Sequence, residues 1–146
     1  MTATLWLRIS AVISALFAAG HILGGRKNWS PMGDNPVLAA MGSTRFQVMG
    51  VERSYLDFYL GFGYSISVLQ IMQAVLLWQL ATLAKSSPNA ARPMIAAIAL
   101  AVALCGVISY SLIFPLPAMF SAALLASLVV SYILAHKPIP VPAALG

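Results

Sequence analysis

The chain has 146 residues, of which 61% are hydrophobic and only 8% are charged, whereas ordinary soluble domains carry about 25% charged residues. That is too little charge for a solvated shell, and the composition is typical of an integral membrane protein. Eight Lys/Arg against three Asp/Glu give a formal net charge of +5. Because the sequence has no basic run, this excess predicts loop anchors for anionic lipid headgroups rather than a nucleic-acid surface.

The scarcity of reactive groups excludes several functional classes. Cys105 is the only cysteine, so the chain cannot form an intramolecular disulfide and is not a four-span thiol–disulfide oxidoreductase. The sequence contains no HxxxH or CxxC spacing, no nucleotide-binding loop and no nucleophile elbow. The two histidines, His21 and His136, are expected near opposite faces of the bilayer, which argues against a haem held by both. We therefore predict no cofactor and no metal site.

Four apolar segments are long enough to cross a bilayer: residues 5–24, 55–84, 94–114 and 118–135. Pro93 is predicted to open the third segment, and Pro115-Leu116-Pro117 to connect the third to the fourth. A connection that short requires antiparallel neighbours. We therefore predict an all-α fold in a single transmembrane domain, an integral membrane four-helix antiparallel bundle.

The connection at residues 25–54 is long enough to contain structure of its own. Asn35-Pro36 indicates a helix start, with Asn35 as the cap and Pro36 in the first helical position. Thr44-x-x-Gln47 has the spacing of a capping box, which predicts a second interfacial helix that either continues into the second span or ends at Gly50. We predict an interfacial helical lid between the first two spans, with a substrate gate as the alternative.

The tail, residues 137–146, carries alternating prolines that exclude a regular helix, so we predict an extended segment.

The charges of the loops bear on membrane orientation. Four basic residues are expected on each face of the membrane, so the positive-inside rule alone does not choose an orientation. The short connection with Lys85 and Arg92 is basic, however, while the one at Pro115–Pro117 is uncharged. This difference favours an orientation with both termini in the cytoplasm.

The most informative stretch is Glu52-Arg53-Ser54-Tyr55-Leu56-Asp57, which holds two of the three acidic residues at the start of the second span. An ionisable residue at the edge of a bilayer costs free energy unless it has a partner, water or a function. Antiparallel topology places this stretch near the ends of the first and third spans. We predict a polar pocket at that face with these candidate binding residues: His21, Glu52, Arg53, Asp57, Tyr59, Tyr64 and Tyr110.

The members of this group also have structural explanations. Ser54-x-x-Asp57 has helix-capping spacing, and the helix dipole favours a carboxylate in the first turn. Arg53 and Asp57 are four residues apart and are expected to pair. His21 is consistent either with a hydrogen-bonded core histidine or with a titrating, ligand-contacting group.

Three stretches in the first half of the chain form a recognisable pattern: Ala19-Gly20-His21-x-Leu23-Gly24, Met41…Phe46…Met49-Gly50, and Arg53-Ser54-Tyr55-x-Asp57-Phe58-Tyr59-x-Gly61-Phe62-Gly63. With them, the chain resembles a group of small bacterial four-span membrane proteins of unknown function. The resemblance implies the fold and supplies neither an activity nor catalytic residues. In span number only, the chain is also similar to four-span DoxX-like proteins and to sterol-isomerase-type bundles.

Our first functional hypothesis is a non-enzymatic integral membrane protein, an accessory or structural subunit that packs against a larger membrane complex or against itself. Its partners are then membrane lipids and membrane proteins, and no nucleic acid. The alternative is a lipid- or small-hydrophobe-binding protein, or an isomerase-type enzyme, with His21 and Asp57 as polar contacts or proton-transfer groups. The alternative predicts a cavity that reaches both residues and opens laterally to lipid. A small-solute transporter would require an oligomer.

Overall fold

The computed structural model describes residues 2–27, 30 and 32–136, with the backbone alone for residues 25–27. In chain order these residues form α1 (Ala3–Lys27), α2 (Pro36–Ser43), β1 (Arg45–Val48), β2 (Val51–Ser54), α3 (Tyr55–Ser86), α4 (Pro88–Leu112) and α5 (Pro115–Leu134). Within this part of the chain, four helices (α1, α3, α4 and α5) are long and apolar enough to cross a membrane, as the sequence predicts. The predicted extended tail, residues 137–146, lies outside the described residues.

Three of the helices begin at a proline. The first N–H groups of a helix have no partner within it, so a proline, which lacks this N–H, costs no hydrogen bond there. These prolines are Pro36 in α2, Pro88 in α4 and Pro115 in α5. The third span therefore begins before Pro93, which the helix contains, and not at it as predicted. Similarly, α5 includes Pro117, and the connection between α4 and α5 is reduced to Ile113 and Phe114.

Between α2 and α3 the chain forms an antiparallel β-hairpin, so the second interfacial helix predicted from Thr44 and Gln47 is wrong. The turn residues Met49 and Gly50 both have positive φ, 49° and 83°, as the type I′ turn of a two-residue hairpin requires. Val48 pairs with Val51 across this turn, and β-branched residues favour strands. Strand pairing outweighs the local capping signal here, and the fold predicted as all-α contains one short sheet.

The described residues divide into two compact units, and α1 and α3 each contribute to both. The first unit contains the chain up to Ser14 and the chain from Gln73 onward, and the second contains Ala15–Met72. The first unit has a core of fully buried large side chains: Leu7, Leu77, Ile95 and Leu128. Most of the other buried positions in this core are alanines, which let helix backbones approach closely in a membrane.

Hydrogen bonds between small polar side chains join the helices of the first unit. Ser127 on α5 donates its hydroxyl to the carbonyl of Trp6 on α1 at 2.9 Å, and it accepts from Ser10 at 2.9 Å. Gln73 Nε2 on α3 donates to Ser14 Oγ on α1 at 3.4 Å. Ser10, Ser14 and Ser127 are buried, and these contacts satisfy their hydroxyls where lipid offers no partner.

Gly106 lies at a close contact between α4 and α5. A Cβ atom at this position would lie only 3.1 Å from the Cβ of Ser121, a buried residue of α5. Separations this short are tighter than ordinary van der Waals contact between carbon atoms. A larger residue at position 106 therefore requires Ser121 to shift.

We expect the substitution Gly106→Leu to force α4 and α5 apart and to lower the free energy of unfolding by about 1–3 kcal/mol, the usual effect of overpacking. Gly20→Leu is the matched control, because a Cβ at position 20 on α1 has nothing within 4 Å. Thermal unfolding of both variants in the same detergent measures the difference. Equal unfolding midpoints would contradict the close contact.

Candidate functional site

A reciprocal pair of hydrogen bonds holds the start of α3. The backbone N–H of Asp57 donates to Ser54 Oγ at 3.2 Å, and the backbone N–H of Ser54 donates to Asp57 Oδ2 at 2.8 Å. This is the capping box that the Ser54-x-x-Asp57 spacing predicts. Ser54 is buried and is the last residue of β2, so the same two bonds fix the direction in which the chain leaves the hairpin and enters the span.

The ion-pair partner of Asp57 is Arg45 and not Arg53, so the predicted Arg53–Asp57 pair is corrected. Arg45 Nη1, on β1, lies 3.8 Å from Asp57 Oδ2. Arg53 Nη1 instead donates to the backbone carbonyl of Glu52 at 2.7 Å. The four-residue rule applies to two residues of one helix, and Arg53 lies on β2 because α3 begins only at Tyr55.

His21 makes a hydrogen bond between α1 and α3 inside the second unit. Its Nδ1 lies 2.9 Å from the hydroxyl of Ser67, which is buried and also donates to the carbonyl of Gly63 at 3.2 Å. A serine hydroxyl has one proton, so when Ser67 donates to Gly63 it accepts from a protonated Nδ1 of His21. His21 is thus hydrogen-bonded between two helices, but it is half-buried and not a core residue, and neither of its two sequence interpretations is decided.

Aromatic side chains fasten the hairpin to the first turns of α3. The ring of Phe46 on β1 lies 5.0 Å from that of Tyr55 and 5.7 Å from that of Phe58, measured between centroids. Phe58 in turn lies 6.3 Å from Phe62. Rings at these separations pack favourably, and aromatic residues are enriched at the membrane–water interface. The contacts therefore hold the hairpin against the first turns of α3.

An open groove of about 350 Å³ runs between the hairpin and α3. Its lining consists of Val48, Val51, Arg53, Asp57, Phe58, Gly61, Phe62 and Ser65. Two of the predicted binding residues, Arg53 and Asp57, thus border one surface depression. His21 is outside this lining.

The remaining predicted binding residues are exposed. Glu52 lies on β2, and Tyr59 and Tyr64 lie on α3, all in the second compact unit. Tyr110 lies on α4 in the other unit. A ligand-binding role for His21 and for these residues stays a prediction.

Sequence reasoning missed the partner of Asp57 and the walls of the groove. Arg45 contacts Asp57 only because a hairpin returns the chain to the start of α3. The signal for that hairpin was present, since Gly50 lies at the turn between two short segments that contain Phe46, Val48 and Val51. In the described part of the chain, no group of three or more His, Cys, Asp or Glu side chains is placed to hold a metal ion.

Comparisons with family models, with curated proteins and with solved structures find no match to this chain. The chemistry of the groove and of the His21–Ser67 contact therefore has to be interpreted from their own atoms. Those atoms comprise one exposed guanidinium, one carboxylate that is hydrogen-bonded and ion-paired, and one imidazole that is hydrogen-bonded to a buried hydroxyl.

The capping box makes a specific prediction for Ser54. Ser54→Ala removes the hydroxyl that accepts from the N–H of Asp57, and we expect it to destabilise the first turn of α3 by about 1 kcal/mol. Hydrogen–deuterium exchange of residues 55–58 should accelerate in the variant. Ser65→Ala is the control, because the Ser65 hydroxyl bonds only within α3, to the carbonyl of Gly61. Unchanged exchange at residues 55–58 in Ser54→Ala would contradict the cap.

Proposed function

We propose that this protein is a small accessory subunit of a membrane complex, without catalytic activity of its own. It acts by packing a transmembrane face against a larger membrane protein or against a second copy of itself. In this proposal the protein is surrounded by lipid, and its few polar side chains stabilise contacts between its own segments. Two features support it: the outward face of α4 and the use of polar side chains in contacts within the protein.

The observation that carries the proposal is the outward face of α4. Only 17% of its most apolar 18-residue window is buried, against 28% in each of the other three candidate spans. Ala97, Ala101 and Cys105 follow one another at intervals of four residues and are exposed. Without a hydrophobic driving force in lipid, helices associate where small residues let their backbones approach. This face is therefore suited to a second helix as well as to lipid.

The polar residues support a structural role in preference to catalysis. A general acid and a general base have to reach the same substrate, and the groove that Asp57 lines does not include His21. Asp57 is held by Ser54 and Arg45, and Nδ1 of His21 is held by Ser67. Both side chains contribute to the stability of helix starts and helix pairs, which a subunit that acts by packing requires.

We further propose that the four spans form an antiparallel bundle in a bacterial cytoplasmic membrane, with α2 and the hairpin as an interfacial lid on the outer side. Support comes from the connections: Ser87 alone separates α3 from α4, and Ile113 and Phe114 separate α4 from α5. Connections this short favour neighbours that run in opposite directions. Lys85 and Arg92 flank the α3–α4 connection, which favours the cytoplasmic side for it and for both termini.

If α4 is the docking face, Ala101→Leu should release the partner, because a leucine prevents the close approach of a second helix. We expect the wild-type protein, solubilised in mild detergent at native expression, to run above the 15.4 kDa of one protomer. The variant should shift to the protomer mass. Ala126→Leu on the exposed face of α5 adds the same volume and should leave the complex intact.

Cys105 reports directly on self-association. If the partner is a second copy, mild oxidation of native membranes should produce a species of twice the protomer mass, and Cys105→Ser should abolish it. A lone 15.4 kDa protomer with no cross-linked species and no co-purifying protein would refute the accessory-subunit proposal.

Membrane orientation is testable with single cysteines in a Cys105→Ser background. A membrane-impermeant maleimide should label Asp34→Cys, just before α2, on intact cells, and should label Asn89→Cys, in the first turn of α4, only after lysis. Both positions are exposed in the structure, so burial within the protein does not explain a difference between them. The reverse labelling pattern would place both termini outside.

A further inference from the structure

We infer that the groove between the hairpin and α3 is a binding site for one anionic phospholipid. The headgroup phosphate binds Arg53, and one acyl chain lies along Phe58, Gly61 and Phe62. The site belongs to the second compact unit, whereas the proposed docking face on α4 belongs to the first. The inference therefore goes beyond the accessory-subunit proposal and does not depend on it.

Arg53 supplies the positive charge. Its side chain is exposed, and the hydrogen bond of its Nη1 to the Glu52 carbonyl uses one of the five N–H donors of the guanidinium. Among the described residues, the ion pair within 4 Å is that of Arg45 with Asp57, so Arg45 balances the carboxylate in the groove. The planar fork of Arg53 retains donors for a phosphate, the acceptor whose geometry it matches.

The other nearby carboxylate is directed away from the groove. Glu52 lies between Val51 and Arg53 on β2, and successive side chains of a strand point to opposite faces. Val51 and Arg53 line the groove, and Glu52 does not. The lining itself holds one guanidinium and one carboxylate, and Arg45, which lies outside the lining, pairs with that carboxylate. Arg45, Asp57 and Arg53 together therefore carry one positive charge, which is complementary to a phosphodiester.

The groove spans the depth at which a phospholipid changes from polar to apolar. At about 1.5 Å per residue, the 32 residues of α3 extend over about 48 Å, which exceeds the roughly 30 Å of hydrocarbon. The first turns of α3 thus have room in the headgroup region. From Asp57 to Ser65 the groove descends by about 12 Å along the helix, from the level of the headgroups towards the acyl chains.

The lower part of the groove is mostly apolar. Phe58 and Phe62 form one wall, and the side chain of Phe62 is 67% exposed. At Gly61 a Cβ atom would have nothing within 4 Å, so the floor is open backbone. Val48 and Val51 on the hairpin form the other wall. A single acyl chain would cover these apolar surfaces while its headgroup remains beside Arg53.

The test is native mass spectrometry of the purified full chain in mild detergent, titrated separately with phosphatidylglycerol and phosphatidylcholine. We expect one phosphatidylglycerol per chain, bound more tightly than phosphatidylcholine. Arg53→Gln should weaken phosphatidylglycerol binding by about tenfold, as expected for the loss of a charge-assisted hydrogen bond. Lys85→Gln removes the same charge at the other end of α3 and should leave the affinity unchanged.

A second pair of variants tests the acyl-chain groove. Gly61→Leu fills the floor and should reduce the retention of both lipids, while Gly20→Leu places the same side chain in open space on α1 and should not. Ser65→Leu fills the lower end from an exposed position and replaces Gly61→Leu if that variant fails to fold, as judged by circular dichroism.

Two results would overturn the site. One is equal phosphatidylglycerol affinity in Arg53→Gln and Lys85→Gln. The other is undiminished lipid retention in both groove-filling variants, which would indicate non-specific annular lipid only. These readouts are independent of the mass of any complex, so a failed lipid site and a failed subunit proposal are distinguishable.

Discussion

The hydrocarbon core of a bilayer contains no water, so every backbone N–H and C=O that crosses it has to find its partner within the protein. Helices meet this requirement along four long segments of the chain, and the short hairpin lies between α2 and α3, at the beginning of a span. The same constraint governs the side chains. Buried serines such as Ser10 and Ser127 bond to each other and to a carbonyl, and no charged side chain is needed to hold α1 to α5.

Polar and charged side chains concentrate at the start of α3. Two bonds between Ser54 and Asp57 close the helix start, Arg45 balances the carboxylate, and Phe46 packs the hairpin against the helix. Arg53 then remains as an exposed cation beside an apolar groove. Among the described residues, neither Arg53 nor Glu52 has an ion pair within 4 Å, and Arg53 is the one of the two that lines the groove, which is the basis for the lipid site that we infer.

Predictions from the sequence succeeded where one local interaction dominates. The four spans follow from apolar length, and the Ser54–Asp57 cap follows from spacing, since both depend on residues close in the chain. They failed where two local signals compete. The capping-box spacing of Thr44 and Gln47 predicts a helix, whereas Gly50 with positive φ and the Val48–Val51 pair form a hairpin. The spacing of Thr44 and Gln47 does not show whether a helix cap or strand pairing is more stable, because strand pairing depends on two segments of the chain at once.

The sequence by itself determined the class of protein, the number of spans and the polar residues available, because composition and apolar length decide what a bilayer accepts. Only the tertiary structure decided which of these residues meet. Asp57 pairs with Arg45 because the hairpin reverses the chain, and His21 bonds to Ser67 because α1 and α3 approach each other at these two residues in the second unit. Such contacts depend on the positions of segments far apart in the chain, and neither spacing nor composition records those positions.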